Sequence, residues 1–187
     1  MATPTAGRTA RAEAAVDRRR YVATALWSLV IISWMDVTFR TASRSDLEAI
    51  VELLATDVLG ATRERFVMPL PTPYVDAFAA IDADPRNLLV VGEVDGVVVA
   101  TMQMTFIPNI TFVGGERALV EGVRVAASVQ RHGVGAALLQ WGIDEARRRN
   151  CRLVELTTSN QRVDAKRFYE RLGFVDSHRG MKLDLCP

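Results

Sequence analysis

Residues 130–136 combine two glycines with the start of a helix-like apolar run, and this combination can bind a phosphate group. The first N–H groups of a helix have no partner within the helix and lie at the positive end of its dipole, so they stabilise an anion. Glycine at positions 133 and 135 keeps side chains from blocking these amides. The candidate phosphate ligands are the residues of this stretch: Gln130, Arg131, His132, Gly133, Val134, Gly135 and Ala136.

The residues around this loop are needed to identify its function, because a Gly-x-Gly pair alone is more often only a tight turn between a strand and a helix. A dinucleotide fingerprint requires a third, differently spaced glycine and an acidic residue on the next strand, and a P-loop requires Gly-Lys-Ser/Thr. The pattern Gln130-x-x-Gly133-x-Gly135, together with Asn160 and the run FYERLGF at residues 168–174, instead resembles the signature of the GNAT superfamily of N-acetyltransferases. The resemblance extends over about residues 36–185.

This resemblance implies a fold and a cosubstrate. The implied fold is α/β, a GNAT-like mixed and mostly antiparallel central sheet flanked by helices on both faces. The implied cosubstrate is acetyl-CoA, whose pyrophosphate binds the amides of the glycine loop in that family. Its pantetheine arm pairs with the preceding strand at positions such as Val123 and Val125, on either side of Arg124, and Asn160 binds the pantetheine amides. Here the spacing from Asn160 to Tyr169 is a little longer than the commonest family spacing.

Glu121 is a candidate general base because it is a carboxylate on an otherwise apolar strand. An alkyl ammonium has a pKa of about 10, so an amine acceptor needs a group that accepts its proton, often through water. Burial would raise the pKa of Glu121 toward the range in which it can do so. The resemblance implies the same role for a glutamate on this strand. An exposed carboxylate paired with Arg124 is equally compatible with the sequence.

Tyr169 is a candidate general acid for a departing thiolate. A phenol with a pKa near 10 can give a proton to the sulfur and recover it from solvent. The run at residues 168–174 matches the family segment in which a tyrosine has this role. A tyrosine beside Phe168 can also be a plain core residue whose hydroxyl reaches the surface.

The helices and strands that must position these residues can be predicted from the periodicity of hydrophobic residues and from the residues typical of turns. A capping box at Ser45 and Glu48 begins a helix that extends to about residue 59. Asp95-Gly96 joins two strands in a hairpin. The predicted order is a strand at 36–40, helices at 45–59 and 74–81, strands at 88–94, 97–107 and 118–125, a helix at 133–149, a strand at 153–158, a helix at 165–172 and a terminal strand at 181–185.

Composition limits the class of protein. A chain of 187 residues that is 49% hydrophobic and 24% charged suits one globular domain. A net charge of +1 gives no broad basic surface, which argues against nucleic acid as a partner. The two cysteines, Cys151 and Cys186, and the two histidines, His132 and His178, make neither a disulfide framework nor a metal site. We therefore expect no metal and a cytoplasmic location.

Residues 1–34 form an extension before a single GNAT-like domain at 35–187. Residues 1–20 have no apolar period, whereas residues 21–35 are apolar throughout and follow three arginines. The apolar stretch is short for a membrane-spanning helix, which needs about 20 residues, and no cleavage site for a signal peptide follows it. A membrane anchor, an appended helix and translated sequence upstream of a true start near Met35 all remain open, and we favour the last.

The sequence thus predicts an enzyme, an acetyl-CoA-dependent N-acetyltransferase that acts by direct transfer to a primary amine. We expect a small-molecule acceptor, although an amino acid, an amino sugar, an aminoglycoside or a protein N-terminus is also compatible. Residues of the variable region are candidate substrate contacts, or simply a solvated face: Asp57, Arg63, Glu64 and Arg65. The rival hypothesis is a non-catalytic CoA-binding or protein-interaction module on the same fold. A homodimer is compatible with the sequence, which does not decide it.

Overall fold

A computed structural model describes residues 36–56 and 60–185. The predicted N-terminal extension and Asp57 lie outside the described residues.

Five strands of the described residues form one sheet. They are β1 (Thr38–Thr41), β2 (Asn87–Val94), β3 (Val97–Ile107), β4 (Arg117–Val125) and β5 (Leu153–Leu156), and they lie in the sheet in chain order. Strands β1 to β4 pair with one another antiparallel, and β5 is parallel to β4. Asp95 and Gly96 both have positive φ, as a two-residue hairpin turn between β2 and β3 requires. The prediction of a mixed, mostly antiparallel sheet is confirmed.

Four helices of nine or more residues in the described part of the chain cover the two faces of this sheet: α1 (Leu47–Ala55), α2 (Thr72–Ala83), α3 (Val134–Arg148) and α4 (Val163–Arg171). Successive residues of a strand point to opposite faces, so Val90 and Val91 belong to different hydrophobic clusters. On one face, Leu47, Ile50 and Val51 of α1 pack with α2. On the other, α3 packs on β3 and β4, and Phe168 of α4 lies against the same cluster. Helices on both faces are therefore confirmed.

The start of α1 differs from the predicted capping box at Ser45 and Glu48. The box is formed two residues earlier, by Ser43 and Asp46, because a single 3₁₀ turn (Arg44–Asp46) precedes the helix. The Asp46 carboxylate accepts the backbone N–H of Ser43 at 2.7 Å and the Ser43 hydroxyl at 2.8 Å. It also accepts both terminal nitrogens of Arg40 on β1, at 2.7 and 2.8 Å. The bonds to Arg40 thus favour Asp46 rather than Glu48 as the capping carboxylate, and the spacing of residues within the helix does not reveal this contact.

The predicted terminal strand at residues 181–185 is wrong. These residues have no regular secondary structure, and Met181, Leu183 and Leu185 are 95%, 85% and 83% exposed. Their alternation is strand-like, but a strand forms only when a neighbour supplies hydrogen bonds. Within the described residues β5 is the last strand of the sheet.

Candidate functional site

Strands β4 and β5 run side by side for only four residues and then part. Their pairing ends at Val120 and Leu156, whereas β4 continues to Val125. Gly122 has a φ of +61°, and the register with β3 shifts there by one residue, which is the geometry of a β-bulge. Beyond it, within the described residues, the β5 side of β4 is an open gap.

The β4 backbone presents hydrogen-bond acceptors to this gap. The N–H of Ala126 donates to the carbonyl of Val99 on β3 at 2.8 Å. Because a trans peptide holds its C=O opposite its N–H, the Val125 carbonyl points away from β3 and into the gap. The Val123 carbonyl, two residues back on the same strand, points the same way. These are the two positions predicted to pair with a pantetheine arm.

Side chains of the chain itself donate to both carbonyls. Gln130 Nε2 lies 3.0 Å from the Val125 oxygen, and Arg124 Nη1 lies 2.7 Å from the Val123 oxygen. Sequence reasoning placed Arg124 and Gln130 near a cofactor but did not reveal these contacts, because both depend on how the side chains fold back on β4.

The glycine loop leads from β4 into α3 as predicted. A 3₁₀ turn (Ala127–Val129) follows the strand, and Gly133 is the residue before the first turn of α3. Its φ of +86° lies in the left-handed region, where a side chain would be strained. The N–H of Ala137 is the first to bond within the helix, to the Gly133 carbonyl at 3.0 Å. The amides of Val134, Gly135 and Ala136 are therefore unused by the helix and available to an anion.

Gly135 is small for a packing reason as well. A Cβ at this position would lie 3.5 Å from Phe168 Cζ on α4 and 3.5 Å from Val125 Cγ2 on β4. This is ordinary van der Waals distance, so alanine fits there, whereas a branched side chain would press on both neighbours. Position 135 is thus where α3, α4 and the gap-facing end of β4 approach one another.

The loop side chains divide between solvent and core. His132 is exposed, and its Nδ1 lies 2.9 Å from the Gln130 carbonyl oxygen. Arg131 is exposed and has a φ of +65°. Val134 is buried in the core, so only its backbone can serve a ligand.

Tyr169 is half-buried on α4, between Phe168 and Phe174, with ring centroids at 5.3 and 5.9 Å. Burial raises the pKa of its hydroxyl, and the positive charges of Arg162 and Arg124 act in the opposite direction. The hydroxyl therefore stays protonated at neutral pH while two nearby cations favour its anion. Sequence reasoning missed Arg162. Its position seven residues before Tyr169, two helical turns away, is a signal that could have identified it.

Glu121 occupies the exposed environment, one of the two that the sequence left open. Ala118 and Val120 fill the core face of β4, so Glu121 points to the opposite face, toward α1. The adjacent Gly122 lies close to that helix, since a Cβ there would be 4.0 Å from Leu54 Cδ2. The end of α1 thus lies beside the bulge at Gly122.

The loop after α1 carries the predicted substrate contacts. The Tyr74 hydroxyl accepts the backbone N–H of Arg65 at 2.9 Å and donates to Glu64 Oε2 at 3.0 Å. Arg63 and Arg65 are both exposed, while Glu64 is half-buried beside Tyr74. The loop is thereby fixed to α2 with two guanidinium groups facing solvent.

Asn160 does not lie at the end of a strand. It is exposed in a turn four residues after β5 ends at Leu156. The long spacing to Tyr169 is thus taken up by this turn.

Comparison with known proteins identifies the family. The family model described as Acetyltransferase (GNAT) family matches residues 55–174. The chain therefore belongs to the GNAT family of acetyltransferases, and the predicted family, fold and class of enzyme are confirmed. This family uses acetyl-CoA.

Three similar proteins cover different shares of the chain. Aminoalkylphosphonate N-acetyltransferase of Salmonella typhimurium is 36% identical over 107 residues, which are 55% of this chain and 66% of that protein. A solved structure described as a transcriptional regulator from Bacillus halodurans C-125 is 46% identical with a TM-score of 0.79, and covers 80% of this chain and 99% of its own. The solved structure of an acetyltransferase from Trypanosoma brucei is 28% identical with a TM-score of 0.66, and the match covers 80% of this chain and 100% of that one.

No helix in the described part of the chain is long and apolar enough to cross a membrane.

Proposed function

We propose that this protein transfers an acetyl group from acetyl-CoA directly to the primary amine of a small molecule. The observation that carries the proposal is the gap beside β4 beyond Val120, together with the following loop, whose amides at Val134, Gly135 and Ala136 the helix leaves unused. The residues present fit acetyl-CoA, because the loop offers unused N–H groups to a pyrophosphate and β4 offers carbonyls to the amides of a pantetheine arm. When bound, acetyl-CoA supplies an acetyl thioester.

The residues of this chain have complementary roles in such a transfer. Tyr169 holds a proton at its hydroxyl, because burial raises its pKa, and can give it to the departing sulfur. The charges of Arg124 and Arg162 stabilise the phenolate that remains. We assign the base to Glu121, which is exposed on the face toward α1 and can accept the proton of the acceptor ammonium through water. Acid and base thus come from different elements, α4 and β4.

We further propose that the acceptor carries an anionic group such as a phosphonate. The name of the Salmonella relative supports this, and so does the loop after α1, where the Arg63 and Arg65 side chains are exposed to solvent. Guanidinium groups bind phosphonate and phosphate oxygens through charge-assisted hydrogen bonds. A neutral amine of the same length would lack this contact.

The test is turnover of acetyl-CoA, read as release of free thiol, with matched amines that differ only in the anionic group. We expect kcat/KM for 2-aminoethylphosphonate to exceed that for propylamine by at least about tenfold, since one charge-assisted hydrogen bond contributes about 1.5–3 kcal/mol. Equal rates with the two amines would contradict the anionic acceptor but not the acetyl transfer.

A second candidate is the non-catalytic module, and the description of the Bacillus halodurans protein as a transcriptional regulator favours it. The same assay separates the two functions. Tight binding of acetyl-CoA without thiol release above the rate in buffer, across a broad library of amines, would support the module and contradict the enzyme.

A further inference from the structure

The two carbonyls that face the gap are already occupied by side chains of this protein. Gln130 Nε2 donates to the Val125 oxygen at 3.0 Å, and Arg124 Nη1 donates to the Val123 oxygen at 2.7 Å. An unpaired strand edge is otherwise open to pairing with any extended chain. The two side chains take the place of the strand that β5 stops supplying after Leu156.

We propose that Gln130 and Arg124 are internal ligands of the β4 edge, which the pantetheine amides displace when acetyl-CoA binds. The inference rests on the proposed function, because it requires acetyl-CoA in this gap. In the unliganded protein each carbonyl accepts a side-chain N–H. In the complex the same carbonyl accepts an amide N–H of the pantetheine arm, and the side chain turns to solvent or to another partner.

The position of each donor supports displacement. Gln130 is exposed, so its amide can exchange this bond for water without being trapped in the core. The Arg124 guanidinium already acts on Tyr169 through its charge. Once freed from the Val123 carbonyl, it can turn toward that hydroxyl, so that binding of the cosubstrate changes the field around the general acid.

The consequence is that these side chains oppose binding. A donor that bonds the carbonyl only in the unliganded protein lowers affinity for the pantetheine arm, and removing it should raise affinity. The net contribution of a single hydrogen bond corresponds to an affinity change of about three- to tenfold. If Gln130 instead contacted the cosubstrate, its removal would weaken binding.

The experiment compares Gln130→Met with wild type by calorimetric titration of acetyl-CoA and of adenosine 3′,5′-bisphosphate. Methionine keeps the length of glutamine but has no N–H. We expect about three- to tenfold tighter acetyl-CoA binding and unchanged binding of the bisphosphate, which lacks the pantetheine arm. Gln140→Met is the matched control, because Gln140 donates to Asp144 at 3.1 Å on α3, and it should change neither affinity.

Thermal unfolding supplies a second measurement. Without ligand, Gln130→Met should have a lower melting temperature than wild type. At saturating acetyl-CoA the two melting temperatures should be equal, because only the unliganded protein has the bond from Gln130 to the Val125 carbonyl. Arg124→Met should behave in the same way if Gln130→Met fails to fold. Equal or weaker acetyl-CoA binding by the folded variants would overturn the inference alone. Wild-type protein that does not bind acetyl-CoA would overturn the proposed function, and the inference with it.

Discussion

At the scale of the residue, the state of Tyr169 follows from two opposed effects. Burial between Phe168 and Phe174 disfavours the charged phenolate, and the nearby Arg124 and Arg162 favour it. Burial is the larger effect, so the pKa is raised and the hydroxyl is protonated at neutral pH. A group in this state can donate a proton at the moment a thiolate leaves, and the two cations limit the energy of the anion that results.

The residue-scale prediction is that Tyr169→Phe and Glu121→Gln reduce activity in different ways. Tyr169→Phe keeps the ring packing, so KM for acetyl-CoA should change little while kcat falls at least about tenfold, the low end of what positioned acids contribute. Glu121→Gln should lose activity mainly at neutral pH and recover partly at high pH, where more of the acceptor amine is already neutral. Steady-state kinetics across pH measures both.

Wild-type rates in both variants with a true acceptor would contradict these roles. Catalysis would then rest on positioning and on an amine that is neutral before it binds. Because the pKa of Tyr169 is raised, the wild-type rate should not fall through loss of its proton until the pH exceeds the ordinary phenol value of about 10.

At the scale of the element, the link between β1 and α1 depends on one carboxylate. Asp46 is 7% exposed and joins the Arg40 guanidinium to the N-terminal turn of the helix. The Arg40 hydrogen bonds, followed by those from Ser43, hold the pKa of Asp46 well below its usual range. A carboxyl whose pKa is lower in the folded state adds stability above its unfolded pKa, and this stability is lost as the pH falls.

The element-scale prediction concerns Asp46→Asn. Removing the charge leaves Arg40 partly unpaired, which should lower the free energy of unfolding by about 2–4 kcal/mol at pH 7. The difference from wild type should shrink progressively as the pH falls below about 4, because wild-type unfolding then takes up a proton at Asp46. Urea unfolding at a series of pH values measures it.

Asp144→Asn is the control, since Asp144 and its partner Arg147 are both 60% exposed and an exposed pair contributes little. A loss from Asp46→Asn that is the same at pH 7 and pH 3 would show that the charge of Asp46 is not what stabilises α1.

At the scale of the whole molecule, the described residues contain both hydrophobic clusters and all five strands. The outermost strand on one side, β1, begins at Thr38 and pairs with β2 along its whole length. We therefore predict that a shortened chain beginning at Met35 folds and binds acetyl-CoA with the affinity of the full chain. Circular dichroism and titration with acetyl-CoA test this. A shortened chain that does not fold would assign the first 34 residues a structural role.

Local sequence determined most of the elements and the glycine loop. The four helices and five strands follow hydrophobic period, and the hairpin at Asp95-Gly96 and the loop at Gly133 follow from residues that tolerate positive φ. These features depend on the backbone preferences of neighbouring residues, so they can be read from the chain. The bulge at Gly122 belongs to the same group.

Tertiary structure decided what depends on residues far apart in the chain. Asp46 rather than Glu48 caps the helix because Arg40 lies on a neighbouring strand, and Glu121 is exposed on the face of β4 opposite the buried Ala118 and Val120. Residues 181–185 alternate like a strand but form none, since alternation supplies no hydrogen-bonding neighbour. The direction of the Val125 carbonyl, and its bond to Gln130, exist only once β3 and β4 have paired. Hydrogen bonds between distant segments have no periodic signature, and for that reason only the folded molecule reveals them.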